Sequence, residues 1–374
     1  MVEDATPDRA PRAWIRRREP RPTQVFETYW RFASERHRIF LRRFAGDPPP
    51  WTNDPILTAH KFTNAFRASD RVTQFLIARV LRGPVTLREI FFRVMLFKLF
   101  NRISTWELLE GAFGELTADS FGVRRYVEVL DAAMAERRRL YSAAYIMPMA
   151  PGFATDRKHD SHLRLLARML EEGAPERIGE SKTMLGAYEL LRGYPMMGPF
   201  LAFQYVIDIN YSSATSFSEM EFVVPGPGAR DGIRKCFHDL GDFSESDTIR
   251  WVAERQEQEL ARLGLPVIDL WGRRLQLVDC QSLFCEVDKY ARAAHPQVVG
   301  SSGRTRIKQR YRVDANPLPY VYPRKWGVIP PRPSVAEDVH GTVPLPARGP
   351  EDRQDGHPRR SSREQDRAVS RAGR

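Results

Sequence analysis

The stretch 190–210, LLRGYPMMGPFLAFQYVIDIN, governs how the chain is read. Its first residues close one amphipathic run, and the segment 193–198, GYPMMG, is dense in residues that interrupt helices and strands. Pro199 then suits the first turn of a new helix, where a missing N–H costs nothing. Two helices joined by a tight turn have the form of a helix-hairpin-helix, whose second helix offers its N-terminal N–H groups to a phosphate. Against the usual hairpin, Leu-Pro-Gly-Val-Gly-x-x-Thr-Ala, the residues Pro195, Gly198 and Ala202 match, while Met196 stands in place of the first glycine. Gly198 is therefore a phosphate-binding candidate. Inside the second helix Gln204, Asp208 and Tyr211 fall at i, i+4 and i+7, a polar face that apolar packing does not explain.

Outward from this hairpin, helical periodicity prevails over 25–43, 54–81, 87–100, 104–111, 120–145, 161–172, 181–191, 228–240 and 246–263. Strand-like alternation is scarce, with 274–278 (RLQLV) a short exception. The expected architecture is mostly α, in two helical lobes. Residues 1–22 form an expected disordered basic arm and 331–374 an expected disordered Pro/Arg-rich tail, leaving 23–330 as the folded body.

With 374 residues and 42% apolar content, the chain is long enough for a substantial core and is not wholly disordered. Three cysteines supply neither a disulfide framework nor a four-cysteine metal site, and His159 with His162 lacks a clear third ligand, so no metal is expected. The apolar stretch 90–103 is interrupted by Arg93, Lys98 and Arg102 and is too short to cross a bilayer. A cytoplasmic protein without a membrane partner is expected, associated with the nucleoid if it meets DNA there. The net charge is +11, with 50 Arg against 8 Lys, and about +7 of it falls on the body. Arginine forks grip phosphates in pairs of hydrogen bonds, so the balance points toward nucleic acid.

Three further motifs carry candidate chemistry. In 60–77, HKFTNAFRASDRVTQFLI, a helix puts Asn64, Arg67, Arg71 and Gln74 on one face with Lys61 at its edge. Asn64, Arg67 and Arg71 are candidate phosphate contacts, against the plainer reading of a solvated helix face. In 219–235, EMEFVVPGPGARDGIRK, the Pro-Gly-Pro-Gly turn feeds a helix, so Gly226, Gly228 and Arg230 form a candidate anion site. No G-x4-G-K-[ST] occurs, which excludes a self-contained P-loop kinase in this sequence. In 279–290, DCQSLFCEVDKY, Glu286 beside Lys289 reads as a general base with its partner or as a surface ion pair.

Taken in order, KFTNAFRASDRVTQFLI, YPMMGPFLAFQYVIDINY, FVVPGPGARDGIRKCF and DCQSLFCEVDKY resemble the helical, DNA-glycosylase-related proteins of thymine hypermodification. That family comprises the 5-hydroxymethyluracil DNA kinase helical domain and the glutamyl- or putrescinyl-thymine pyrophosphorylases. The resemblance spans about residues 25–328. It implies a DNA-glycosylase-like helical fold and work on bases extruded from DNA. In such pathways 5-hydroxymethyluracil is activated by phosphorylation, and an amine or amino acid then displaces the phosphate at the exocyclic carbon. DNA is the implied partner, with ATP or an amine or amino-acid donor as co-substrate. Either a separate P-loop kinase activates the base or the helical fold performs the transfer itself.

Within that resemblance Asp208 and Glu286 are the acid/base candidates, with Gln204 and Lys289 as their polar partners toward DNA or phosphate. Lys61, counted among the catalytic residues, and Arg71 with Arg230 are the cations for the activated group. The sequence departs from helix-hairpin-helix glycosylases. The acids after the hairpin, Glu219, Glu221 and Asp231, lack a Val-Asp context, and Pro199 and Phe200 fill the place of a lyase-type lysine. Base excision is thus a second reading, and DNA binding without catalysis a third.

Overall fold

α1 (Gln24–Ala45) is set at both ends by its own sequence. The Thr23 hydroxyl accepts the Val25 N–H at its start, and Gly46 closes it in the left-handed region at φ 84°. This computed structural model describes residues 18–144, 147–313 and 320–331. Thirteen more α-helices follow among the described residues: α2 (Pro55–Ala59), α3 (Arg71–Phe75), α4 (Leu87–Phe100), α5 (Ile103–Phe113), α6 (Val123–Ala135), α7 (Lys158–Glu171) and α8 (Ala174–Glu180). Then come α9 (Met184–Arg192), α10 (Pro199–Asn210), α11 (Pro227–Cys236), α12 (Glu245–Glu254), α13 (Gln256–Arg262) and α14 (Leu277–Ala294). The sheet content is two short antiparallel pairs, β1 (Arg21–Pro22) with β2 (Phe237–Asp239) and β3 (Asp269–Leu270) with β4 (Arg273–Arg274). One apolar cluster runs from Val25 on α1 to Tyr322, and the described residues belong to one unit. No described helix is long and apolar enough to cross a membrane.

α4 and α10 are buried almost all round, as their uninterrupted apolar runs require. α11 and α14 approach each other very closely. A Cβ at Gly232 would fall on the Phe284 backbone, and one at Gly228 on the Cys285 sulfur, closer than real side chains come. One turn apart, these two glycines let the helices meet nearly backbone to backbone. Buried Lys235 of α11 joins Asp288 of α14 at 2.9 Å across the same seam. A Cβ at Gly226 would stand 2.6 Å from the Phe200 ring, so the Pro-Gly-Pro-Gly turn is a packing joint rather than an open anion cradle.

Several expected elements differ in the structure. The expected helix over 54–81 is broken into α2, an extended stretch, a 3-10 turn (Arg67–Ser69), α3 and one π turn (Leu76–Val80). The cause is local. Asp70 accepts the Asn64 N–H at 2.8 Å, and the Asn64 amide donates to the Ser69 carbonyl at 2.7 Å, so side chains take the bonds a helix needs. The expected strand over 274–278 gives way at Gln276, whose side chain and that of Asp279 form a capping box that starts α14. Other expected helices shorten: 120–145 to α6, and 228–240 to α11 followed by β2, while 246–263 divides at Arg255. The proposed arm boundary also moves. Arg18 donates its N–H to Asp242 at 2.7 Å and accepts that residue's N–H at 2.9 Å, so residues 18–22 are tied to the body. The rest of the arm, and 332–374 of the tail, lie outside the described residues.

Candidate active-site cleft

The extended segment after α2 is held from behind by α14. Glu286 accepts the Thr63 N–H at 3.0 Å, and Asp279, two turns earlier on the same face, accepts the Arg67 N–H at 2.8 Å. Glu286 is also bonded to Lys289 at 2.7 Å, and that ammonium lies 4.5 Å over the Phe62 ring. Glu286 and Lys289 are therefore ion-paired, though largely buried rather than at the surface, and together they fix the loop's course.

The front of this loop, α1 and residues 310–313 enclose a cleft of ≈ 460 Å³. That is a usual size for a small-ligand site. Arg36, Arg43, Lys61, Arg71, Arg310 and Arg312 line it, and Asp70 is the carboxylate among them. Arg36 donates to the Thr63 carbonyl at 2.9 Å and to the Asn64 amide oxygen at 2.8 Å, which aligns the cleft wall. Burial pushes the Asp70 carboxyl from 3.8 up to about 7, the nearby charge of Glu286 adds to this, and the Asn64 N–H with Arg36 and Arg67 opposes it. Trp51 lines the cleft with the Arg43 guanidinium 5.2 Å over its ring. The His60 Nδ1 and the Tyr311 hydroxyl, both on cleft residues, are shut from solvent without a hydrogen-bond partner among the described residues. Unsatisfied buried polar atoms are rare enough to call for a partner.

Beneath the cleft lies a separate buried network. Arg67 Nη1 donates to Asp208 Oδ1 at 2.8 Å and to the Tyr211 hydroxyl at 3.0 Å, and its Nε donates to Gln204 at 3.1 Å. Lys98 sits 3.0 Å from the other Asp208 oxygen. The i, i+4, i+7 face of α10 is thus a socket for one arginine. Burial disfavours the Asp208 charge, but Arg67 and Lys98 outweigh it and hold the carboxyl below its usual value. At 1% and 5% exposure Asp208 and Arg67 are enclosed together and neither lines the cleft, unlike the open positions expected of them. The reason is the broken helix, which turns Arg67 inward.

Lys61, Asn64 and Arg71 of the sequence candidates come together at the cleft, although not as a helix face. Arg230 stands apart, 3.2 Å from Glu245 of α12. Gly198 begins α10 with its N–H given to the Met196 carbonyl at 2.8 Å, and Met196 adopts φ 69°, the left-handed region that glycine favours. His159 and His162 are taken up by Asp131 and by Tyr141 with the Pro148 carbonyl. Sequence reasoning missed Asp70, Arg36, Arg310 and Arg312. For the last two a signal existed, a basic residue at every second position over 304–312.

The family model for the 5-hmdU DNA kinase helical domain matches residues 23–300, which include the cleft loop, α10, α11 and α14. The chain belongs to this family. A curated relative from Bacillus phage SP10, named 5-hmdU DNA kinase, is 26% identical over 299 residues. That alignment takes in 73% of this chain and 46% of the relative, so the chain spans about half the relative's length. No solved structure matches the chain.

Proposed function

We propose that this helical domain acts on 5-hydroxymethyluracil in DNA, holding the extruded base in the cleft while a phosphoryl or amino group is transferred at the hydroxymethyl substituent. One observation supports the reading above others: six cations line one cleft with a carboxylate whose pKa burial raises to about 7. In phosphoryl transfer Asp70 takes the hydroxyl proton as that oxygen bonds to the donor's terminal phosphorus, and the bond from phosphorus to the leaving diphosphate breaks. In amine transfer the nitrogen bonds to the exocyclic carbon, the bond from carbon to phosphate oxygen breaks, and Asp70 takes the proton from nitrogen. Either way negative charge grows on phosphate oxygens, and Lys61, Arg71 and Arg310 neutralise it. A general base works best when its pKa is close to the operating pH.

No Walker motif occurs in 1–374, and the nucleotide donor is assigned to a P-loop kinase unit, which works with this helical domain on DNA in the cytoplasm or at the nucleoid. The left-handed Met196 at the hairpin's glycine position supports a helix-hairpin-helix-like, glycosylase-like placement of α9 and α10 on that DNA.

The test is to incubate the protein with DNA containing 5-hydroxymethyluracil, with ATP and a kinase or with pyrophosphorylated base and amines, then digest and weigh the nucleosides. Gain of a phosphoryl group on the hydroxymethyl base, or replacement of pyrophosphate by the amine on the pyrophosphorylated base, is expected. It should fall by about 10²-fold or more in Asp70→Asn, the usual weight of a general base. Free base release would instead show a glycosylase, and unaltered nucleosides under every condition would leave DNA binding alone.

A further inference from the structure

Residues 304–313, RTRIKQRYRV, place Arg304, Arg306, Lys308, Arg310 and Arg312 at every second position. The run contains no helix or turn, and its 309–311 end is fastened to the cleft loop. Lys61 donates its N–H to the Gln309 carbonyl at 3.0 Å, and Tyr311 donates to the Ala59 carbonyl at 3.1 Å, around an antiparallel bridge of His60 with Arg310. An extended backbone sends alternate side chains to opposite sides. Between the cations, Ile307 packs on the core and the Tyr311 hydroxyl is shut away, while Thr305 and Gln309 are exposed, as are all five cations. Among the described residues none of the five is ion-paired, whereas other surface arginines such as Arg124 and Arg230 have carboxylate partners. A line of like charges repels itself.

We propose that this run is a track for the phosphates of a single DNA strand, leading the strand to the cleft. The proposal rests on the reading that the substrate is DNA. Alternate residues of an extended chain recur at roughly 6.7 Å, about the reach of one nucleotide in a stretched single strand, so successive cations can meet successive phosphates. Arg310 and Arg312 line the cleft, and Arg304, Arg306 and Lys308 lead away from it over open surface. Trp51 and Tyr311 stand at the cleft end, where aromatic faces can receive bases that have left the stack.

The experiment uses the full chain and a labelled single strand containing 5-hydroxymethyluracil, titrated at several salt concentrations. The variant is Arg304→Gln/Arg306→Gln/Lys308→Gln, with Arg306→Glu alone as a second. Because these side chains are exposed, melting temperatures should match wild type. The slope of log affinity against log salt should fall by about 2 in the triple variant, at roughly 0.7 per single-strand contact. Arg306→Glu should also lower it. Unchanged slopes in both variants, while Asp70→Asn still abolishes base modification, overturn the track and leave the proposed reaction standing. Lowered slopes with no modification by wild type leave the track and remove the reaction. A loss confined to duplex DNA overturns the single-strand assignment.

Discussion

Asp70 and Asp208 show how two carboxylates of similar sequence appearance receive opposite tasks from their surroundings. Asp70 is half-buried beside cations at the cleft wall, and its folded carboxyl titrates near 7 in place of 3.8. Over that window the folded chain binds a proton that the unfolded chain has released, so stability falls as pH rises from about 4 to about 7. Asp70→Asn should therefore melt higher than wild type at pH 8 and about equally at pH 4, while losing activity; differential scanning calorimetry and nucleoside mass analysis at both pH values check this. In the wild type, kcat/KM should rise through pH about 7 as the base ionises, and a profile flat from pH 5 to 8 would count against Asp70. Asp208 carries the reverse sign. Its depressed pKa lends stability that is present above the ordinary carboxylate range and lost as pH falls through its folded value. Asp208→Asn leaves Arg67 and Lys98 buried without their counter-charge, a loss of about 3–5 kcal/mol, measurable by urea denaturation at pH 7. The sequence pattern showed that the α10 face was polar. It did not show that Arg67, 137 positions from Gln204, fills it. Nor did it mark Asp70, because only the break in the expected helix brings that carboxylate to the wall.

At the scale of elements, the seam of α11 and α14 makes the two glycines unequal. At Gly228 the obstructing atom is the Cys285 sulfur, a side-chain group that can be removed, while at Gly232 it is the Phe284 backbone. Gly228→Ala should destabilise the protein, and Cys285→Ala in the same chain should restore part of the loss. Gly232→Ala should be the more damaging, and no side-chain change at 284 should rescue it. Denaturant midpoints of the single and double variants measure this coupling, and equal effects of Cys285→Ala in both backgrounds would remove the pairing. Helices such as α1, α4 and α10 were legible because their apolar spacing and caps are local. The loop over 60–70 was not, since Asn64 and Asp70 belong to helical and non-helical patterns alike until Glu286 and Asp279 seize its N–H groups from 223 and 212 positions away.

At the scale of the molecule, β1 closes the chain's described beginning onto β2, where a Cβ at Gly241 would collide with the Arg18 carbonyl. Deleting residues 1–22 should lower the melting temperature below that of a chain lacking only 1–17, since the first removes the Arg18–Asp242 pairing and the second does not. Identical melts would show that this edge adds nothing. The tight fit at Gly241 was invisible in the sequence, where Gly-Asp reads as any turn. The cationic run has a consequence of another kind. The family match ends at residue 300, just short of Arg304, so the shared helical frame and the proposed grip on nucleic acid are distinct lengths of chain. The grip attaches to the frame through backbone bonds at Ala59 and Lys61, the Arg292 side chain on the Arg306 carbonyl and the packing of Ile307. Strand preference can then be rewritten at Arg304, Arg306 and Lys308, much as a tool takes a new handle, while the cleft wall at 310–313 and the helices remain as they are.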